Sequence, residues 1–376
     1  DQIEERKGES VMKKLLAVVT AFTMTAAMLA GCGSSTGSSA SSETQASEAA
    51  ASETSAAETA AEESTAAESE AESTAADTAG SDTVYNIGIC QLLQHDALDQ
   101  ATQGFKDAMV ELLGEDRVVF DEQNASNDSA TCATIINQFV SADVDLILAN
   151  ATAALQAAAQ GTTEIPILGT SITDYATALG IDDWTGTTGM NISGTSDLAP
   201  LEEQAAMLNE LFPDAQNVGL LYCSAEPNSI YQADTIRGYL EGYGYTCEDY
   251  TFADSNDLAS VVTNAVSSCD VIYVPTDNTA AGNTEVINNV CLPAGIPVIA
   301  GEQGICSGCG VATLSISYYD IGYAAGEMAV DILENGADIS TMEIQSAPNV
   351  TKMYNEAICS ELGITVPDDY EPIAAE

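Results

Sequence analysis

From Val84 onward the chain alternates short apolar runs with amphipathic segments, a rhythm that few folds accommodate. The runs at 84–90, 118–121, 144–149 and 165–169 have the length and β-branched content of buried strands. Between them, Leu98, Ala101, Phe105, Met109 and Leu112 recur at helical spacing over 96–113, and Asp128 caps a helix running to 140 that carries Cys132, Ile135, Ile136 and Phe139. A further helix fits 152–160. A second set follows: helices over 200–211, 229–243, 256–267 and 280–290 alternate with strands at 218–222, 246–252, 271–274 and 297–300, and a last long helix fits 318–333. Alternation of this kind predicts an α/β protein with two Rossmann-like halves, each a mostly parallel sheet covered by helices. The expected division is a first lobe from 83–195 plus 317–340, a second from 196–316, and a segment, 341–376, that returns across the hinge. In open α/β sheets ligands sit beyond the carboxyl ends of the strands. Two such lobes can face those ends across a cleft and close on a small solute by a hinge.

Residues 1–82 read differently. Met12-Lys13-Lys14 opens a better leader than Asp1 does, so residues 1–11 stay outside the fold reading. The apolar run over 15–29 is shorter than the roughly 20 residues of a spanning helix. It ends in Leu29-Ala30-Gly31-Cys32, small residues placed as before a secretory cleavage point. This tetrapeptide resembles the lipobox of bacterial lipoproteins, which implies a signal peptide over 1–31 and lipidation of Cys32. Two or more acyl chains give stable attachment to a membrane. The segment 32–82 then collapses to Ser, Ala, Thr and Glu, with too little apolar surface to offset ordering entropy, and is expected to be an acidic tether.

Charge narrows the function. Beyond the leader the basic residues are Lys106, Arg117, Arg237 and Lys352, against a formal net charge of −50. Nothing is there to neutralise phosphates, which excludes nucleic-acid binding. His95 is the lone histidine, no phosphate loop or nucleophile-elbow motif occurs, and neither catalysis nor a cofactor is expected. Of the ten cysteines most sit singly in apolar runs; Cys306-Ser-Gly-Cys309 reads as a loop pair, disulfide-bonded or inert, with no second pair or histidine cluster to make a metal site.

Several stretches resemble an ABC substrate-binding lipoprotein family whose better-known relatives serve uptake of tryptophan, tyrosine or phenylalanine. They are Ile87-Gly-Ile-Cys-Gln91 with His95-Asp-Ala-Leu-Asp99, Asp145-Leu-Ile-Leu-Ala-Asn-Ala-Thr152, Ile165-Pro-Ile-Leu with Thr173-Asp174, Gly194-Thr-Ser-Asp-Leu-Ala-Pro200 with Glu203-Gln204, and Tyr273-Val-Pro-Thr-Asp-Asn278. The likeness covers 85–367. Relatives often carry proline where Asp96 stands here, a change that preserves a helix start. The resemblance implies a type I periplasmic-binding-protein fold, an amino-acid ligand, ABC permease and ATPase partners, and a place on the outer face of the cell membrane through the lipid anchor. The same fold binding a branched amino acid, nucleoside or sugar, or serving as a sensor, are the alternatives.

An amino-acid zwitterion needs donors for its carboxylate and an acid for its ammonium. With almost no cations, the carboxylate must meet backbone N–H groups and hydroxyls at helix starts. Thr152 is the best-placed hydroxyl, then Ser171 and Thr173, with Asp174 a weaker candidate. Asp277, flanked by Thr276 and Asn278, follows the strand at 271–274 and is the expected ammonium partner; Glu302 is the second. Ser224, Glu226 and Asn228 hold the equivalent place after 218–222. Gln91 and Leu92 complete the expected site, with Leu93, Tyr318 and Tyr319 as possible apolar walls.

Overall fold

The computed structural model describes residues 83–347 and 349–373. The leader, Cys32 and the expected tether lie outside them. Strands β1 (Tyr85–Gln91), β2 (Val118–Asn124), β3 (Leu146–Asn150), β4 (Ile167–Ile172) and β5 (Ile192–Ser196) belong to the first lobe. Strands β6 (Asn217–Cys223), β7 (Thr246–Phe252), β8 (Val271–Val274), β9 (Val298–Ala300) and β10 (Ala312–Ser315) belong to the second. Of the short strands near the end, β11 (Gln345–Ser346) joins the first sheet, and β12 (Thr351–Tyr354) and β13 (Glu371–Pro372) join the second. The orders are β11-β5-β4-β3-β1-β2 and β13-β12-β10-β9-β8-β6-β7. Each lobe therefore repeats one doubly wound core, β2-β1-β3-β4-β5 and β7-β6-β8-β9-β10. Every pairing is parallel except β10 with β12. This is the two-lobed type I periplasmic-binding-protein-like architecture. The interior strands β3 and β8 are buried along their whole length, as strands covered by helices on both faces must be.

The helices are α1 (Asp96–Leu113), α2 (Ser129–Ala142), α3 (Thr152–Gly161), α4 (Tyr175–Leu179), α5 (Leu201–Leu211), α6 (Pro227–Tyr243), α7 (Ser255–Ala265), α8 (Asn278–Ala281), α9 (Thr284–Ala294), α10 (Gln303–Cys309), α11 (Tyr318–Asn335) and α12 (Glu356–Leu362). The chain passes between lobes from β5 to α5, from β10 to α11 and from β11 to β12. Helix α11 starts at the second of these crossings and packs tightly along α1. Gly104 and Gly322 make the approach possible: a Cβ on Gly104 would stand 2.1 Å from Tyr319 O, and one on Gly322 2.0 Å from Ala101 O. That contact fixes the start of α11, including Tyr318, beside the cleft.

Several elements differ from the sequence expectation: α4, β10 and α12 have no counterpart in it, and three other stretches take a different form. The join near 193–197 is itself a strand, β5, because Ile-Ser-Gly-Thr-Ser carries one aliphatic residue and conceals its burial. The helix expected over 280–290 is two helices, α8 and α9, interrupted at Gly282 and Asn283. Cys306 and Cys309 are not in a loop. They lie one turn apart in α10, both free and buried in the core, and Cys309 Sγ donates to Ile305 O at 3.3 Å. Two glycines inside this helix weaken its sequence signal.

Candidate ligand site

The loops at the carboxyl ends of β1, β4 and β5 meet those after β6, β8 and β9 around a narrow cavity with about 10 Å³ of free space. From the first lobe come His95, Leu98, Ser171 and Thr173; Asp197 and Tyr318 come from two of the crossings. The second lobe supplies Asn228, Thr276, Asp277, Asn278, Ala281 and Glu302. Outside His95 and Ala281 the lobes part into a wider cleft lined by Asp96, Gly282, Thr284 and Gly304.

Three of the wall groups are buried carboxylates. Asp277 caps α8: one oxygen accepts from Ala280 N at 2.8 Å and the other from Cys223 N at 2.6 Å. Burial, reinforced by the charge of Glu226, pushes its pKa up to about 8. Glu302 caps α10 by accepting from the N–H groups of Gly304 and Ile305. Burial raises it to about 7, with Asp96 and Asp197 adding repulsion. Asp197 accepts from Thr173 Oγ1 at 3.0 Å and Tyr318 OH at 2.9 Å, and burial raises it to about 6. No described lysine or arginine lines the cavity. Lys106 pairs with Glu122, Arg117 with Glu334, Arg237 with Asp249, and Lys352 with Glu210 and Asp369, all at the surface.

Hydroxyl and amide groups fill the remaining wall. Ser171 is 5% exposed, its Oγ has no hydrogen-bond partner, and its φ of 57° lies in the left-handed region that a non-glycine residue seldom adopts. Strain of this kind concentrates at ligand sites. Gln232 of α6 donates to Thr276 Oγ1 at 2.5 Å in its own lobe and to Thr173 Oγ1 at 3.5 Å across the cleft. Two more contacts cross between lobes: Asn127 Nδ2 donates to Thr279 Oγ1 at 2.9 Å, and His95 Nε2 lies 3.3 Å from Asn278 Oδ1. Burial lowers the His95 pKa, which favours its neutral ring.

Of the residues expected from sequence, Ser171, Thr173, Asn228, Thr276, Asp277, Asn278 and Glu302 come together at this cavity. The others lie off its wall. Glu226 turns to the first turn of α8, where Asn278 and Thr279 occupy its carboxylate. Gln91 is tied inside the first lobe to Thr102, Asp99 and Leu93 O. Leu92 packs in the first lobe's core, and Thr152 is buried at the first position of α3. Asp174 caps α4 through Thr177 N, and Ser224, exposed, bonds Phe252 O. Sequence alone singled out neither Asp197, Leu98 nor Ala281 for the site, gave His95 no catalytic role, and gave Tyr318 only an apolar one. An acid directly after a strand was the available signal for Asp197, but that strand was itself unrecognised.

The profile of the family described as ABC transporter substrate binding protein matches residues 86–376. A tyrosine-binding protein of Clostridioides difficile is 31% identical over 346 residues, 92% of this chain and 90% of that one. Among solved structures, an ABC domain in complex with L-Trp from Streptococcus pneumonia is 31% identical, covers 76% of this chain and 97% of its own, and superposes with a TM-score of 0.73. The ligand-free, open form of a Clostridium difficile substrate-binding protein with adhesive properties is 34% identical, covers 78% and 100%, and superposes at 0.61. Cavity, repeated lobes and crossings accord with these likenesses: the chain belongs to the ABC transporter substrate-binding protein family.

Proposed function

We propose that this substrate-binding protein captures an amino acid, aromatic by preference, and presents it to the permease of an ABC importer. The observation that carries the ligand class is the set of buried carboxylates, Asp197, Asp277 and Glu302, gathered at one cavity with no described basic side chain among them. An α-ammonium supplies the missing charge. Ser171 offers its unpartnered hydroxyl to the ligand carboxylate, while Leu98, Ala281 and the ring of Tyr318 provide apolar wall. The names of the tyrosine-binding relative and the L-Trp complex support an aromatic side chain. Closure brings Asn127, His95 and Thr173 onto the second lobe and presents one continuous surface to the permease; ATP hydrolysis belongs to partner subunits.

A thermal melt of the purified protein with L-tyrosine, L-tryptophan, L-leucine, a hexose and a nucleoside tests the class. At a hundredfold excess over Kd a ligand stabilises by about 2.7 kcal/mol, a rise of roughly 5–10 °C. The rise is expected with the aromatic amino acids; a rise with only the hexose or the nucleoside would remove the amino-acid reading.

The lipobox-like Leu29-Ala30-Gly31-Cys32 supports attachment to the outer face of the cell membrane by acylation of Cys32. Among the described residues no helix is long and apolar enough to cross a membrane. Cells fed an alkyne fatty acid should label the protein and fail to label Cys32→Ser; equal labelling would exclude Cys32 as the acylated residue.

A further inference from the structure

We propose that Asp197, and neither Asp277 nor Glu302, receives the ligand's ammonium, and that it does so at the hinge, so that occupancy and closure are one event. This rests on the reading above that the ligand is an α-amino acid.

The three acids differ in what already holds them. Asp277 accepts backbone N–H groups from Cys223 and Ala280, and Glu302 accepts them from Gly304 and Ile305. Those donors are fixed by the fold, and both carboxylates serve to start helices. Asp197 accepts from two neutral side-chain hydroxyls, those of Thr173 and Tyr318, and otherwise only from its own backbone N–H; it caps no helix. Its two oxygens keep acceptor capacity, and it is 4% exposed with no cation bonded to it.

Beside it stands the one cavity-lining hydroxyl recorded as buried and without a partner, Ser171. Strands β4 and β5 adjoin there: Ile172 pairs with Ser196, and Asp197 N donates to Ile172 O at 3.2 Å. An acid and an unpartnered donor thus sit at the ends of neighbouring strands. The ammonium and carboxylate of an α-amino acid are joined through a single carbon and call for such a neighbouring pair.

Position in the chain supplies the coupling. Asp197 opens the crossing from β5 to α5, Tyr318 opens α11 just after the crossing from β10, and Thr173 follows the end of β4. One carboxylate therefore gathers two crossings and a strand end. An ammonium seated on it holds both crossings in the arrangement of the closed lobes. Asp197 is in this sense a specificity-determining residue.

The test compares L-tyrosine and L-tryptophan with 3-(4-hydroxyphenyl)propionic and indole-3-propionic acid, the same molecules without the ammonium, by titration calorimetry. Wild type is expected to prefer the amino acid. Asp197→Asn should lose about 30-fold or more in affinity for it, the usual cost of removing one partner of a buried charge pair. Affinity for the propionic acid should stay unchanged, so that the preference vanishes, whereas Glu302→Gln should retain it. An Asp197→Asn protein that keeps the wild-type preference overturns this assignment and leaves the ligand class standing. Equal loss of both ligands makes Asp197 structural and also overturns it. Wild type binding none of the four overturns the amino-acid reading and this assignment with it.

Discussion

Glu226→Ala is expected to lower the stability of the protein by about 3–5 kcal/mol, the range for removing one member of a buried, hydrogen-bonded charged group. The side chain is 8% exposed. Its carboxylate accepts from Asn278 N at 2.9 Å and Nδ2 at 2.8 Å, from Thr279 N at 2.9 Å and Oγ1 at 2.7 Å, and from Asn228 Nδ2 at 3.3 Å. Alanine leaves these donors buried without an acceptor and frees the first turn of α8, where His95 and Asn127 make their contacts with the second lobe. At roughly 2–4 °C per kcal/mol, the melting point should fall by about 10 °C, followed by circular dichroism. Were Glu226 a ligand contact alone, the variant would lose affinity and keep its melting point. A fall of under about 1 kcal/mol would show that the cap carries little of the second lobe's stability.

The second large effect is in pH. Unfolded, Asp197 and Asp277 titrate near 3.8 and Glu302 near 4.5; folded, they titrate near 6, 8 and 7. Between pH 4 and 8 the folded chain therefore holds protons that the unfolded chain has released, and stability of the unliganded protein must fall as pH rises through that window. His95 acts in the opposite sense. Its pKa is lowered by burial, so charging it costs stability as pH falls below about 6.5. Three acids outweigh one base. The groups that face them reinforce the trend: Glu226 stands against Asp277, and Asp96 and Asp197 stand against Glu302. A bound ammonium favours the ionised acids, so ligand affinity should rise from pH 5 to pH 8, by up to about tenfold per pH unit for each acid that must ionise. Melting curves at pH 5 and pH 8, with and without L-tyrosine, give both trends. A ligand shift that is larger at pH 5 would contradict the charge arrangement described here.

Much of the fold was legible because buried parallel strands are written as unbroken apolar runs: Leu-Ile-Leu-Ala in β3 and Val-Ile-Tyr-Val in β8 have few other readings. What escaped were elements that are short, or whose burial is polar, or whose helix is glycine-rich: α4, β5, β10, α10 and α12. The site followed the same division. Ser171, Asp277 and Glu302, which line the cavity, were singled out because they lie at or just past the ends of recognisable apolar runs. Asp197 was passed over with its strand, and its partners Thr173 and Tyr318 lie 24 and 121 residues away, a distance that no local pattern spans. Glu226 has the right place in the chain, yet the amides of Asn278 and Thr279 absorb its charge. Competition of that kind is visible only once the two loops are side by side.

A calorimetric titration of the purified protein with L-tyrosine and L-tryptophan at pH 6, where Asp197 is about half protonated before binding, run in two buffers of different ionisation heat, bears most directly on capture of a zwitterion among buried acids. Saturation at one molecule per chain, at micromolar concentration or below, is expected, with protons released on binding. Saturable binding that leaves the proton count unchanged, or none with any α-amino acid, would contradict it.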